Sequence, residues 1–137
     1  MDAAVPGTVA AVASLSGDVN PAKQIERAQR GELVEAVALK LSRAFACRPI
    51  LKSCLMDYIE QWSPYVKASA SAPPQFLAAS EAERRSASLS DQYELAAKLA
   101  EVGVPAEVLA PLNGHGFAYW KAARRPALEF LTVHSLL

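Results

Sequence analysis

The feature that most constrains this chain is the apolar periodicity between Glu32 and Tyr65. Leu33, Val37, Leu41 and Phe45 recur at helical spacing, and Val34 and Ala38 widen the stripe. Glu32, Glu35, Lys40 and Arg43 fall mostly off it, as in an amphipathic helix with a broad buried face. Pro49 ends that helix, because proline lacks an amide donor and pushes Arg48 before it out of the helical region. Leu51, Leu55, Tyr58 or Ile59, Trp62 and Val66 then mark a second apolar face, with Pro64 bending or ending its last turn. Two helices meeting at a proline, each apolar along one side, predict a helical hairpin or a sharp elbow.

The same stretch carries both cysteines, Cys47 and Cys54, seven residues apart. On one unbroken helix their Cα atoms would stand about 10 Å apart, whereas a disulfide tolerates about 7 Å at most. Only a sharp turn at Pro49 brings them together, so the expected state is a pair of buried, reduced thiols. With no C-x-x-C and only two histidines, neither a zinc site nor a thioredoxin-type motif is expected.

Composition sets the remaining bounds. A chain of 137 residues fits one domain and buries roughly two thirds of its unfolded surface, enough for a core without metals. It is 52% hydrophobic and only 20% charged, an apolar balance that leaves surface for a partner. Net charge is zero, against a protein held on nucleic acid by its whole-molecule field. No apolar run reaches the roughly 18 residues of a membrane span. The segment Met1 to Gly17 lacks a basic leader region and carries Asp2, Pro6 and Gly7, so it reads as untargeted and the chain as cytoplasmic.

Residues 1–18 are small, apolar and breaker-rich, and read as a flexible tail or one ordered by a partner, with Val9 to Leu15 able to form a turn or a strand against that partner. Asn20 caps a helix that starts at Pro21 and weakens at Gly31. A Ser/Ala/Pro linker near 68–75 holds Pro73-Pro74 and divides one helical domain, 19–137, into two halves. Ser80 to Glu83 fits a capping box. Asp91 to Val102 predicts a stronger helix stopped by Gly103, with Val104 placed for a C-terminal hydrophobic contact. Pro105 to Leu112 reads as another short helix. Phe117 to Ala123 and Ala127 to His134 read as two last segments divided at Arg124-Arg125-Pro126.

Three constellations bear on function. Leu99 to Leu112 has the cadence of a helix-turn-helix, but its second half offers no Arg, Lys, Asn or Gln to a base edge, and Glu107 would repel phosphate. His115, between Gly114 and Gly116 and close to Phe117, Tyr119 and Trp120, has the flexibility of a general base but no partner nearby in sequence. Lys121, Arg124 and Arg125 beside Tyr119 and Trp120 form a basic-aromatic run, and Arg84-Arg85 a smaller one. No phosphate-binding glycine loop, nucleophile elbow or paired catalytic carboxylates are present.

These observations predict an all-α fold, an irregular bundle of about five to seven helices. They predict a non-enzymatic interaction module, such as an adaptor, inhibitor or accessory subunit, with no cofactor and no metal. Its partner is another protein, with self-association the second choice. The anchors are Tyr58, Trp62, Tyr65, Tyr119, Trp120, Arg124 and Arg125, because Trp, Tyr and Arg dominate interface energetics. The alternative is a nucleic-acid-binding regulator using basic residues at 84–85 and 121–125.

Overall fold

A computed structural model describes residues 9–33, 35–47, 56–80 and 89–135. At its centre lies a strand, β2 (Gln75–Ser80), whose residues Phe76 to Ser80 are all buried. β1 (Val12–Leu15) and β3 (Ala106–Leu112) flank it, both parallel to it, in the order β1-β2-β3. Ala13 pairs with Phe76, and Leu77 with Val108. Six α-helices surround this sheet among the described residues, so the fold is mixed α/β and the all-α bundle expected from the sequence is corrected.

The correction has a physical cause. A central strand of a parallel sheet is covered on both faces, so it reads as a continuous apolar run and not as an alternation. Phe-Leu-Ala-Ala is such a run, built from residues that also favour helices. Within β2 the side chains still alternate in space. Phe76 and Ala78 join a cluster with Ala123, Ala127 and Phe130, while Leu77 joins one with Leu95, Leu99 and Val104. One face of the sheet therefore meets α6 (Trp120–Ser135) and the other meets α5 (Leu89–Glu101).

The helix-turn-helix cadence of Leu99 to Leu112 is likewise overturned, since its second half is β3. Its first half behaves as the sequence predicts. Gly103 adopts a φ of +78°, its amide donates to Ala100 O at 3.0 Å, and the Val104 amide donates to Leu99 O at 2.9 Å. That is a Schellman closure, with Val104 and Leu99 buried together in the α5-side cluster. Val104 then leads into β3 and not into another helix. Pro111 falls within this edge strand, where a missing amide is tolerated.

The segment read as a tail supplies β1, which pairs with the chain's own β2; Val12 N donates to Pro74 O at 2.9 Å. Ala11 and Leu15 of this segment pack against the cluster on the α6 side of the sheet.

The helices of the first half form a lobe. α1 (Pro21–Gln29) starts as expected, the Asn20 side chain accepting from the Lys23 amide. α2 (Glu35–Ala44) and α3 (Met56–Glu60) complete a cluster of Ala22, Ile25, Ala38, Cys47 and Ile59. α2 ends before Cys47, with Ala46 at a φ of +52° and the Cys47 amide donating to Ser42 O at 2.8 Å. The helix is therefore not continuous through the cysteines. Cys47 is buried and disulfide-bonded, against the expectation of reduced thiols. The chain's other cysteine, Cys54, lies outside the described residues, as do Pro49, Leu51 and Leu55.

α6 runs without a break from Trp120 to Ser135 with Pro126 inside it. The division predicted there does not occur. Ala123 before the proline, and Ala127 and Phe130 after it, are all buried on the sheet, and that burial outweighs the lost hydrogen bond.

Candidate functional site

The predicted anchors divide into residues the fold uses internally and residues it displays. Tyr119 belongs to the first group and is corrected as a contact residue, being only 4% exposed. It ends the 3-10 turn Gly116–Tyr119 and sits over the carboxyl ends of β1 and β2. Its hydroxyl donates to Ala78 O at 2.9 Å and is hydrogen-bonded to the Ser16 hydroxyl. With the tyrosine proton committed to Ala78, Ser16 is the donor in that second bond. The Ser16 amide also donates to Ala78 O, at 2.9 Å. One buried carbonyl thus ties β1, β2 and the start of α6 together.

Tyr65 is half-buried against the α5-side cluster, and the Lys98 ammonium lies 4.4 Å from its ring centroid. Lys98 also donates to Tyr65 O at 2.8 Å. Tyr65 therefore joins α4 (Pro64–Lys67) to α5.

Tyr58 and Trp62 are displayed. They are 48% and 47% exposed, and their rings meet edge to face with centroids 6.2 Å apart. Their outward aim follows from how the backbone is pinned beneath them. Ser63, fully buried, caps α4 by accepting from the Val66 amide and donates to Val19 O. The Tyr65 amide donates to the same Val19 carbonyl at 3.0 Å. Ile59 points into the lobe, which turns its neighbour Tyr58 toward solvent, and Trp62 stands in the turn that follows the end of α3 at Glu60. Val66, on α4, is exposed as well, at 43%. The sequence reading included Tyr58 and Trp62 but left out Val66, whose place on the same apolar stripe was the available signal.

A second displayed surface is the outer side of α6. Arg124 and Arg125 are exposed as expected. Leu128 and Val133, 53% and 61% exposed, were not singled out by the sequence reading. Trp120 is half-buried and its ring meets that of the exposed Phe117. Lys121 is exposed, while Arg125 donates to Glu129 Oε1 at 2.7 Å, so an acidic residue stands within this basic run. Arg84 and Arg85 lie outside the described residues.

The densest charged cluster joins the lobe to α5. Asp91, buried in the first turn of α5, accepts two bonds from the Arg27 guanidinium at 2.6 and 2.9 Å and one from Gln24 Nε2 at 3.1 Å. Lys23 lies 3.1 Å from Asp91 and 2.6 Å from Glu94. Burial alone would lower the Lys23 pKa, but its bonds to Glu94 and Asp91 raise it. Asp18, in the turn after β1, has its carboxyl pushed up to about 6 by the atoms packed around it, although one side stays open to solvent. Asp91 adds repulsion, while the Asn20 amide and Arg27 oppose the rise. Gln92 donates to Gly17 O at 2.7 Å, and the side-chain oxygens of Gln24 and Gln92 are buried without hydrogen-bond partners among the described residues. Two cations against the carboxylates make this cluster a structural brace and a poor cation site.

His115 is exposed, and its backbone oxygen accepts from the Ala118 amide at 3.1 Å. Among the described residues no group of three or more His, Cys, Asp or Glu side chains is placed to hold a metal ion. No described helix is long and apolar enough to cross a membrane. Comparison of the chain with protein-family models, with curated proteins and with solved structures returned no match.

Proposed function

We propose that this chain is a protein-binding module, an adaptor, inhibitor or accessory subunit without chemistry of its own, and that Tyr58, Trp62 and Val66 are its principal contact residues. The observation that carries this reading is the pair of half-exposed aromatics held edge to face on a rigid, internally hydrogen-bonded elbow. Tyr and Trp supply large contact area with few rotatable bonds, and a pre-organised pair loses little entropy when a partner covers it. Arg124 and Arg125 belong to the α6 side of the sheet and so to a different surface. The nucleic-acid reading ranks lower, because Glu129 already engages Arg125 within the basic run.

The sequence reading expects a cytoplasmic chain. The disulfide at Cys47 favours an oxidising compartment instead.

The reading is tested by pull-down of the tagged full chain from its native extract, comparing the natural chain with Trp62→Ala and with a control at another exposed aromatic, Tyr93→Ala. The expected result is a stoichiometric protein partner that survives nuclease and moderate salt and is lost with Trp62→Ala alone. Recovery that vanishes with nuclease or salt contradicts it and moves the weight to Lys121 and Arg124.

A further inference from the structure

The outer face of α6 carries an inference independent of the Tyr58–Trp62 surface. Arg124, Leu128 and Thr132 form one ridge along the helix, and Arg125, Glu129 and Val133 form the next. Between and beside these ridges lies a shallow, mainly apolar depression of about 500 Å³, lined by those six residues. Grooves between ridges four residues apart are where a second helix seats its own ridge.

We infer that the occupant is a second copy of this chain, docked α6 against α6 in antiparallel fashion about a two-fold axis level with Ala127. The charge pattern selects this partner. Arg125 and Glu129 stand symmetrically two residues either side of Ala127, both well exposed, at 87% and 63%. In an antiparallel pair Arg125 of one copy faces Glu129 of the other, and the symmetry repeats the contact. Leu128 meets Leu128 of the second copy at the centre, which removes from water one of the largest exposed aliphatic surfaces on the helix. Ala127 faces the sheet and takes no part. A contact of one helix per copy is small, so the dimer is weak and reversible, below the area of a standard stable interface.

Sedimentation velocity of the full chain, over concentrations rising to about 1 mM, tests this directly. The expected result is a concentration-dependent shift from the 14.6 kDa monomer toward twice that mass. Leu128→Asp is expected to weaken association about tenfold or more while leaving the circular dichroism spectrum unchanged, because Leu128 makes no part of the buried cores. Arg125→Glu alone places like charges across the axis and weakens association. The double exchange Arg125→Glu with Glu129→Arg restores it, since opposite charges again face one another. A natural chain that stays monomeric throughout overturns the proposal. So does association that survives Leu128→Asp, or a double exchange that fails to recover what the single one lost.

Discussion

The two faces of the sheet are covered by different means. On the α5 side the cover is thick and cross-braced. Leu95, Leu99 and Val104 pack on Leu77, and Asp91 joins α5 to α1 through Arg27, Lys23 and Gln24. The lobe of α1, α2 and α3 stands beyond that brace. On the α6 side, among the described residues, the cover is a single helix with Tyr119 just before it, and the helix buries two alanines and one phenylalanine. Its outer side is left bare, with Leu128 and Val133 in water. A parallel sheet must be covered on both faces, but the second cover needs only one layer, and a single layer leaves its outer side available to a partner.

The α6 side depends most on Phe130. As the one large buried side chain of α6, it is expected to cost about 4 kcal/mol when changed to alanine, read from urea unfolding, and to release α6 ahead of the rest. If that loss is below about 1 kcal/mol, α6 is not holding the sheet as described. Asp91→Ala is the matching test on the braced side. It leaves Arg27 and Gln24 without their shared acceptor and is expected to cost about 3 kcal/mol. A small loss there would mean that α1 and α5 hold together by apolar packing alone.

Pro126→Ala sharpens the contrast in the other direction. Restoring an amide in the middle of α6 is expected to raise stability by roughly 2 kcal/mol, the helix-interior cost of proline less the entropy it removes from the unfolded chain. No gain would show that α6 is already kinked to accommodate its proline.

The smallest effect concerns pH. The Asp18 carboxyl in the folded protein is raised from 3.8 to about 6, so the folded state holds its proton more tightly than the unfolded one. The group's favourable contribution is complete below 3.8 and is lost as pH rises through about 6. Asp18→Asn is expected to flatten the decline in stability over that window and to change little below it, as read from thermal unfolding across the pH series. An unchanged profile would show that solvent at its open side screens the carboxylate.

The sequence was legible where local chemistry decides. The Asn20 cap, the Gly103 stop with Val104 after it, and the α2 stripe follow from rules that act within a few residues. The sheet was not legible, because its pairing joins residues far apart in the chain, Ala13 with Phe76 and Phe76 with Glu107. β2 hid as an apolar run of helix-favouring residues, and β3 hid behind the spacing of Leu109 and Leu112. Pro111 was the one local sign against a helix there. Among the candidate contact residues, Trp62 and Tyr119 looked alike as exposed-or-core aromatics. Only the fold separates them, by placing Tyr119 over the Ala78 carbonyl and Trp62 in the turn before Ser63, the buried cap of α4.

The most direct test of this account is hydrogen–deuterium exchange of the dilute natural chain, read peptide by peptide. The account predicts that Gln75–Ser80 exchanges most slowly, that Leu89–Glu101 follows, and that Trp120–Ser135 exchanges faster than both. Rapid exchange in Gln75–Ser80, with the slowest amides instead in the helices of the first half, would contradict it and return the chain to the helical bundle that its periodicity suggests.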